Sequence, residues 1–434
     1  MKILQYAFFF ILLHCCPVKL RKKEKLVFQT NIWYKEIIPK SSYHKEIQVM
    51  TKYTTVFASL LRYLSRSDFD IAVLGYQGDK YSKNYTTFDL FKTMLYGQLA
   101  DCFSVREIIG SMTGNIKRLY HAGITIIKRS TFCDAMEKRN HHIFQSVFHS
   151  VVEKAQSISA KAHKKFKDPL RIIDATVISV CLNKYPWAYF RKAKGAVKLH
   201  TLLDGDNLFP IDARLSRGNE HEAGSMHWLC QESGVTYVMD KGYVDYNSLY
   251  NIELQGSKFV TRMKINGKYR RVKLNRHKAA GSVISDMVIS LSGYSTGKKY
   301  PKELRRVRYF DEVTGKTYDF LTNEFEKPAE EIASIYKERW EVELFFRWLK
   351  QNLKIKSFWG TSENAVYMQI WTALILSVLL WICKTVEGIT DSAHQMIQKM
   401  KTTLLCKGSV REICMSIPPP LIDTSNQLLL WGKL

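Results

Sequence analysis

Acidic residues are scarce in this chain. Over 434 residues, 40 Asp and Glu stand against 65 Lys and Arg, a formal net charge of +25. That excess points to a polyanionic partner, with nucleic acid the first candidate. No C-x-x-C occurs, and the nine cysteines are scattered from Cys15 to Cys414, with Cys15–Cys16 the only close pair. Zinc-finger spacing and a disulfide framework are thereby excluded, which leaves free thiols in a reducing compartment. No Walker loop is present, and no Ser/His/Asp or Cys/His arrangement is suggested by position, so a nucleotide cofactor is not expected. What the chain does have is 46% apolar residues and length enough for two or three domains with real cores.

One stretch, Pro328 to Lys356, has no Gly or Pro after its first residue. Pro328 suits the first turn of a helix, and Glu330 and Glu331 sit where the helix dipole favours anions. A single long helix is the natural reading. At about 100° per residue, with Glu343 at zero, Tyr336 falls near +20°, Arg339 near −40° and Lys350 near −20°. One stripe thus carries a phenol, a guanidinium, a carboxylate and an ammonium over about 21 Å. Val342, Leu344, Phe345, Trp348 and Leu349 make the apolar arc opposite. A solvated face with loose ion pairs is the plain alternative. The functional reading is one metal-binding carboxylate among phosphate clamps.

Upstream, residues 50–168 read as helices. Thr87-Phe88 opens an amphipathic piece, Ser104 suits an N-cap for the helix after it, and Ser130 or Thr131 can cap a helix carrying Glu137, Lys138 and Arg139. Two short helices, a turn and a basic helix start match the layout of a helix-turn-helix reader. From Leu170 the texture changes. LRIIDATVISVCL is apolar on both faces, as a buried strand would be, and holds Asp174 in its middle. A carboxylate there is costly unless it is paired or binds a cation. The loop NKYPWAYFRKAKG mixes Trp187, Tyr189 and Phe190 with Arg191, Lys192 and Lys194, which suits distorted or unpaired DNA; Lys198 follows on the next run. Two further strand-like runs suggest an antiparallel meander. His200 reads as a strand or supporting histidine, not a ligand. A helix is expected around residues 220–232, then a buried strand, Val235 to Met239, with Asp240 at its carboxyl end and a turn at Gly242. Residues 256–326 alternate and grow more basic, with Asn266-Gly267 and Thr314-Gly315 as hairpin signals.

The spacing of Tyr336, Arg339, Glu343 and Lys350, together with RWEVELFFRWLKQNLKIK around it, resembles the Tyr–Arg–Glu–Lys signature of one group of insertion-sequence transposases. These are DDE enzymes, named for two Asp and one Glu that hold metal ions. TKYTTVFASLLRYLSRSDFD, KRSTFCDAMEKR and FRKAKGAVKLHTLLD are similar to the same group, and the likeness spans roughly residues 50–371. Where the family has Asp-Arg-Gly-Tyr, this chain has Asp240-Lys241-Gly242-Tyr243: the cation is kept and the bidentate fork is lost. Some relatives hold a flipped base on a Trp of their insertion. Here no Trp lies between Trp228 and Trp340, so that device does not transfer.

The resemblance implies an α/β fold. A ribonuclease-H-like catalytic core (169–356) with a β-rich insertion (256–326) would follow a helical DNA-binding domain (50–168) and precede a helical C-terminal region (357–434). It implies Asp174, Asp240 and Glu343 as catalytic residues holding two Mg²⁺ or Mn²⁺ ions, to which three hard oxygen ligands are suited. Tyr336, Arg339, Lys350, Arg191, Lys192, Lys194, Lys198 and Lys241 would contact DNA. The partners would be the double-stranded ends of the element and target DNA, gathered by a homodimer in a synaptic complex, in the cytoplasm at the nucleoid. The activity implied is cut-and-paste transposition. The alternatives are a metal-dependent nuclease of the same fold without strand transfer, and an inactive DNA-binding remnant.

Two apolar segments raise a membrane reading. Ile3 to Cys16 is too short to span a bilayer, and residues 1–49 read as a translated leader before a functional start at Met50, with an N-terminal anchor as the alternative. AVYMQIWTALILSVLLWICK is long enough for a short span, but Gln369 and Thr372 interrupt it, and a buried packing helix is expected.

Overall fold

Leu170–Val180, rich in β-branched and apolar residues, forms β1, and its neighbours decide the architecture. The computed structural model describes residues 54–415 except 161–165, 167, 193, 266 and 276–280. The leader, the start at Met50, Asn266 of the expected turn and the prolines at 418–420 lie outside those residues.

Among the described residues, seven helices precede β1: α1 (Val56–Leu61), α2 (Arg66–Gly75), α3 (Thr87–Leu99), α4 (Val105–Gly114), α5 (Ile116–Leu119), α6 (Arg129–Lys138) and α7 (His142–Ser159). Ser104 caps α4 as expected, accepting from the Glu107 amide, while the Glu107 carboxylate reaches back to the Phe103 amide. Helix α6 starts earlier than expected. Lys128 is its N-cap, with no side-chain cap, so neither Ser130 nor Thr131 serves. Arg139 lies just past its end, buried, and donates to the Tyr85 carbonyl and Ser82.

Strands β2 (Tyr189–Arg191), β3 (Lys194–Asp204) and β4 (Pro210–Arg217) complete the meander, with β3 antiparallel to both β1 and β4. Its return is tight. The Gly205 amide donates to Leu170 O, and a Cβ on Gly205 would come within 2.7 Å of Leu170 Cβ. The helix expected at 220–232 is reduced to a 3₁₀ turn, Glu222–Ser225, and one turn of α8 (Met226–Leu229). Gly224 falls inside the 3₁₀ turn, where it weakens any longer helix.

Strand β5 (Thr236–Met239) runs parallel to β1, and β6 (Lys258–Arg262) parallel to β5, with α9 (Tyr246–Leu254) between them in sequence. The basic segment then continues the same sheet. Strand β10 (Lys316–Thr322) pairs antiparallel with β6, and β9 (Leu304–Asp311), β8 (Val283–Leu291) and β7 (Tyr269–Leu274) follow outward. The expected insertion therefore grows out of the sheet, because its first strand belongs to the parallel run. Its basic residues are also partly internal. Arg305 is buried and forks onto Asp286 at 2.9 and 2.7 Å, and Arg306 bonds to Asp319 at 2.5 Å. A short helix, α10 (Tyr294–Lys299), joins β8 to β9.

The long signature helix is in fact two, α11 (Ala329–Lys337) and α12 (Trp340–Asn352). Between them, Arg339 N bonds to Tyr336 O and Glu341 N to Glu338 O, the i→i+3 pattern of a tightened turn. Pro328 is the N-cap of α11, with Glu330 and Glu331 in the first turn. On α12 the buried residues are Val342, Phe346, Leu349 and Asn352, while Leu344 is exposed. The buried arc thus sits about a quarter turn from Glu343, not opposite it.

Helix α13 (Glu363–Glu387) is the one described helix apolar and long enough to cross a membrane, with mean hydropathy 2.0, yet 94% of its apolar window is buried in the protein. It is capped by Ser362 and stopped by Gly388 at φ 64. It packs on α3, α6 and α7 and on α14 (Ala393–Thr403), with α15 (Val410–Met415) beyond. Helices from both ends of the described chain therefore share one core.

Candidate active site

Sheet register brings the two aspartates together. In the parallel pair β1–β5, Ile173 is opposite Met239, so Asp174 and Asp240 follow side by side. Helix α12 packs against β1 and supplies Glu343. Arg339 links them: Nη1 donates to Asp174 Oδ2 at 2.9 Å and Nη2 to Glu343 Oε1 at 2.5 Å. Tyr336 donates its hydroxyl to Asp240 Oδ1 at 3.3 Å. Three of the four signature residues thus stand against the aspartates: Arg339 and Glu343 at Asp174, and Tyr336 at Asp240.

Their electrostatics diverge. Burial pushes the Asp174 carboxyl up to about 6, and the Glu343 and Asp240 charges push the same way, against the Ala175 amide and Arg339. For Asp240, burial also pushes upward, but the Lys241 amide and the guanidiniums of Arg262 and Arg339 outweigh it, and the carboxyl is held below its usual range. Burial raises the Tyr336 phenol to about 12, so it stays a hydroxyl donor. Beneath the acids, His200 is fully buried between Tyr243 Oη and Ser216 Oγ, each at 3.2 Å, and burial lowers its pKa to about 3. It is a neutral strand histidine, as expected.

A stability consequence follows for Asp174. A carboxyl raised from 3.8 to about 6 binds its proton more tightly in the folded chain. Its contribution is present below about pH 4 and lost as pH rises through about 6. In EDTA, the stability of wild type relative to Asp174→Asn is expected to fall by about 2–3 kcal/mol from pH 4 to pH 7. Chemical denaturation across that range measures it; a flat difference would contradict the assignment.

The expected DNA contacts divide. Arg191, Lys192, Lys194 and Lys241 are exposed. Lys192 sits at the β2–β3 turn with φ 44, a left-handed conformation uncommon for a residue with a side chain. Lys350 is half-buried, with Nζ 3.0 Å from Val177 O; burial, then Lys356, lowers its pKa. Lys198 departs from expectation. It is 8% exposed and donates to Glu220 O at 2.7 Å, with the Glu222 carboxylate 3.8 Å away, so the segment after β4 occupies its ammonium. Arg339 stands among the acids with Nε buried and unpaired among the described residues, instead of facing outward.

Sequence reasoning missed Arg262, which pairs with Asp240 Oδ1 at 3.0 Å. The parallel register Met239 to Thr261 puts it there. Its only sequence signal is a cation ending the run KFVTR, which has no meaning until the strand pairing is known.

Among the described residues, no group of three or more His, Cys, Asp or Glu is gathered as a ready-made metal site; a guanidinium stands between the acids. The donor set nonetheless fits a hard divalent cation. It offers carboxylate oxygens, and Asp174 is raised partly by the other two charges, the repulsion such a cation relieves.

Residues 165–379 match the family model described as a transposase DDE domain, and residues 52–125 match a domain of unknown function (DUF4372). Three curated relatives carry transposase names. The y4zB protein of Sinorhizobium fredii is 32% identical over 299 residues, 68% of this chain and 81% of that one. A protein of insertion sequence element IS5377 from Geobacillus stearothermophilus is 29% identical over 353 residues, 80% of this chain and 90% of that one. A protein of element IS4SA from Synechocystis is 27% identical over 328 residues, 72% of this chain and 88% of that one.

Proposed function

The chain belongs to the DDE transposases of bacterial insertion sequences, and from that membership we propose that it binds the terminal inverted repeats of its element and moves it by cut-and-paste transposition. It is an enzyme of DNA cleavage and strand transfer. The observation that carries the proposal is the Arg339 fork joining Asp174 to Glu343, with Asp240 set beside Asp174 by the parallel register. The strand run β4-β3-β1-β5-β6, antiparallel and then parallel, supports a ribonuclease-H-like core for residues 169–356. Residues 50–168 would read the element's end, and the β-rich strands and residues 357–434 would frame the core.

Asp174, Asp240 and Glu343 would hold two divalent cations, Mg²⁺ or Mn²⁺. When bound, these supply Lewis acidity for the attacking and leaving oxygens of phosphodiester cleavage. The chain's own groups do the rest. Arg339, whose positive charge now balances two of the acids, would turn to backbone phosphate, where its fork is well matched. Tyr336 keeps its proton and orients Asp240. Lys350, Arg191, Lys192, Lys194 and Lys241 would hold the strand leading to the site. A homodimer would pair two ends, in the cytoplasm at the nucleoid where its DNA lies.

The test uses duplexes copied from short inverted repeats flanking the gene, with the end already cut. With Mg²⁺, the 3′-hydroxyl is expected to join to a target plasmid. Cleavage of uncut ends with no joined product from cut ones would reduce the enzyme to a nuclease.

A further inference from the structure

Each of the three acids already carries a cation that belongs to the chain. Arg339 Nη1 holds Asp174 Oδ2 and Nη2 holds Glu343 Oε1, while the other Asp174 oxygen takes the Ala175 amide at 2.8 Å. Arg262 Nη2 holds Asp240 Oδ1. Both guanidiniums are under-used. Nε of Arg339 and Nε of Arg262 are buried and have no acceptor among the described residues. A buried donor without an acceptor is costly, so neither arginine has its best partner here. Neither is walled in: the side chain of Arg262 is 30% exposed and that of Arg339 16%, beside Glu343 at 34%. Arg339 is also the N-cap of α12, on the tightened turn after α11 and not inside a helix.

A guanidinium and a hard divalent cation compete for the same carboxylate oxygens. While the two arginines hold the acids, an entering cation must displace them, and each displaced guanidinium needs another anion. Phosphate fits that need, because two of its oxygens match the parallel donors of a guanidinium edge, the orphaned Nε included. We infer that Arg339 and Arg262 form a latch that keeps divalent cations off Asp174, Asp240 and Glu343 until DNA phosphates draw the two guanidiniums away. The exchange conserves pairing: arginine goes to phosphate, and carboxylate goes to metal. The site is then armed only on bound DNA. The inference rests on the chain's acting on DNA and adds an order of binding, DNA before metal.

The probe is Mn²⁺, and its binding is read from the loss of the free-ion electron paramagnetic resonance signal, so no turnover enters. Binding that persists in Asp240→Asn is subtracted as belonging to other sites. The DNA is the pre-cut end duplex with dideoxy 3′ ends, and Mn²⁺ bound by the duplex alone is subtracted too. Without DNA, Arg339→Gln, which keeps a polar chain and loses the charge, should bind Mn²⁺ at least about fivefold more tightly than wild type. With DNA, wild type should gain by a similar factor and Arg339→Gln by much less. The second comparison matters, since removing any nearby positive charge tightens Mn²⁺, but only a displaced group loses the gain on DNA. Arg262→Gln is the second variant; circular dichroism checks folding, and either folded variant suffices. Equal wild-type affinity with and without the duplex, a folded variant no tighter than wild type in its absence, or an undiminished gain on DNA in that variant overturns the inference. The result is separable from that of the joining assay: joining with flat Mn²⁺ titrations removes the latch alone, and a latch that opens without joined product removes strand transfer alone.

Discussion

Asp240→Asn is expected to lower Mg²⁺-dependent cleavage of an element end by at least about a thousandfold. The carboxyl is held below its usual range, so at neutral pH it is ionised, with Arg262 and the Tyr336 hydroxyl on one oxygen. Asn keeps the shape and an acceptor oxygen for both donors, and removes the charge a divalent cation needs. The folded sheet should persist, because β5 pairs on both sides through backbone bonds. Single-turnover cleavage measures the loss, and a melting curve verifies the fold. Cleavage within tenfold of wild type would remove Asp240 from the reaction.

The largest stability effect is expected far from the chemistry, at Arg305→Ala, with a loss of about 3–5 kcal/mol. Arg305 and Asp286 are both nearly inaccessible and meet through two parallel hydrogen bonds. The remaining amino group donates to Lys327 O at 2.6 Å and Glu324 O at 3.2 Å, on the segment just before α11. Truncation strands a buried carboxylate and frees the approach to the helix that carries Tyr336. Adding Asp286→Leu should recover much of the loss, because the stranded charge goes with it. Urea unfolding of the two variants decides it. A cost below about 1 kcal/mol for the single change would show that water reaches Asp286.

The same arginine shows where the sequence could mislead. Its segment reads only as alternating and increasingly basic, yet Arg305 and Arg306 are spent on acids of neighbouring strands. Charge alone does not say which way a side chain points, and strand pairing does. Lys198 misleads for the same reason. By contrast β1, the Ser104 cap and the burial of α13 were legible, because apolar texture and caps are local signals. Asp174, Asp240 and Glu343 were singled out through their contexts; sheet register sets Asp240 beside Asp174, and the Arg339 fork joins Asp174 to Glu343. The break between α11 and α12 was not legible, since no residue type marks it: its cause is a tightened turn at Glu338 and Arg339 whose side-chain anchor is β1. Arg262 was out of reach because its partner lies on another strand.

Helix α13 has a consequence for synthesis. Residues of α3 and α7 leave the ribosome well before α13, the surface they close against. At typical bacterial speeds the wait from α3 to the end of α13 is roughly 15–60 s, during which aromatic side chains such as Phe91 and Phe148 lack part of their cover. A copy with a stop codon before Ser362 would release a polypeptide that never closes its first helices, a substrate for proteases and not a long-lived competitor for the element's ends.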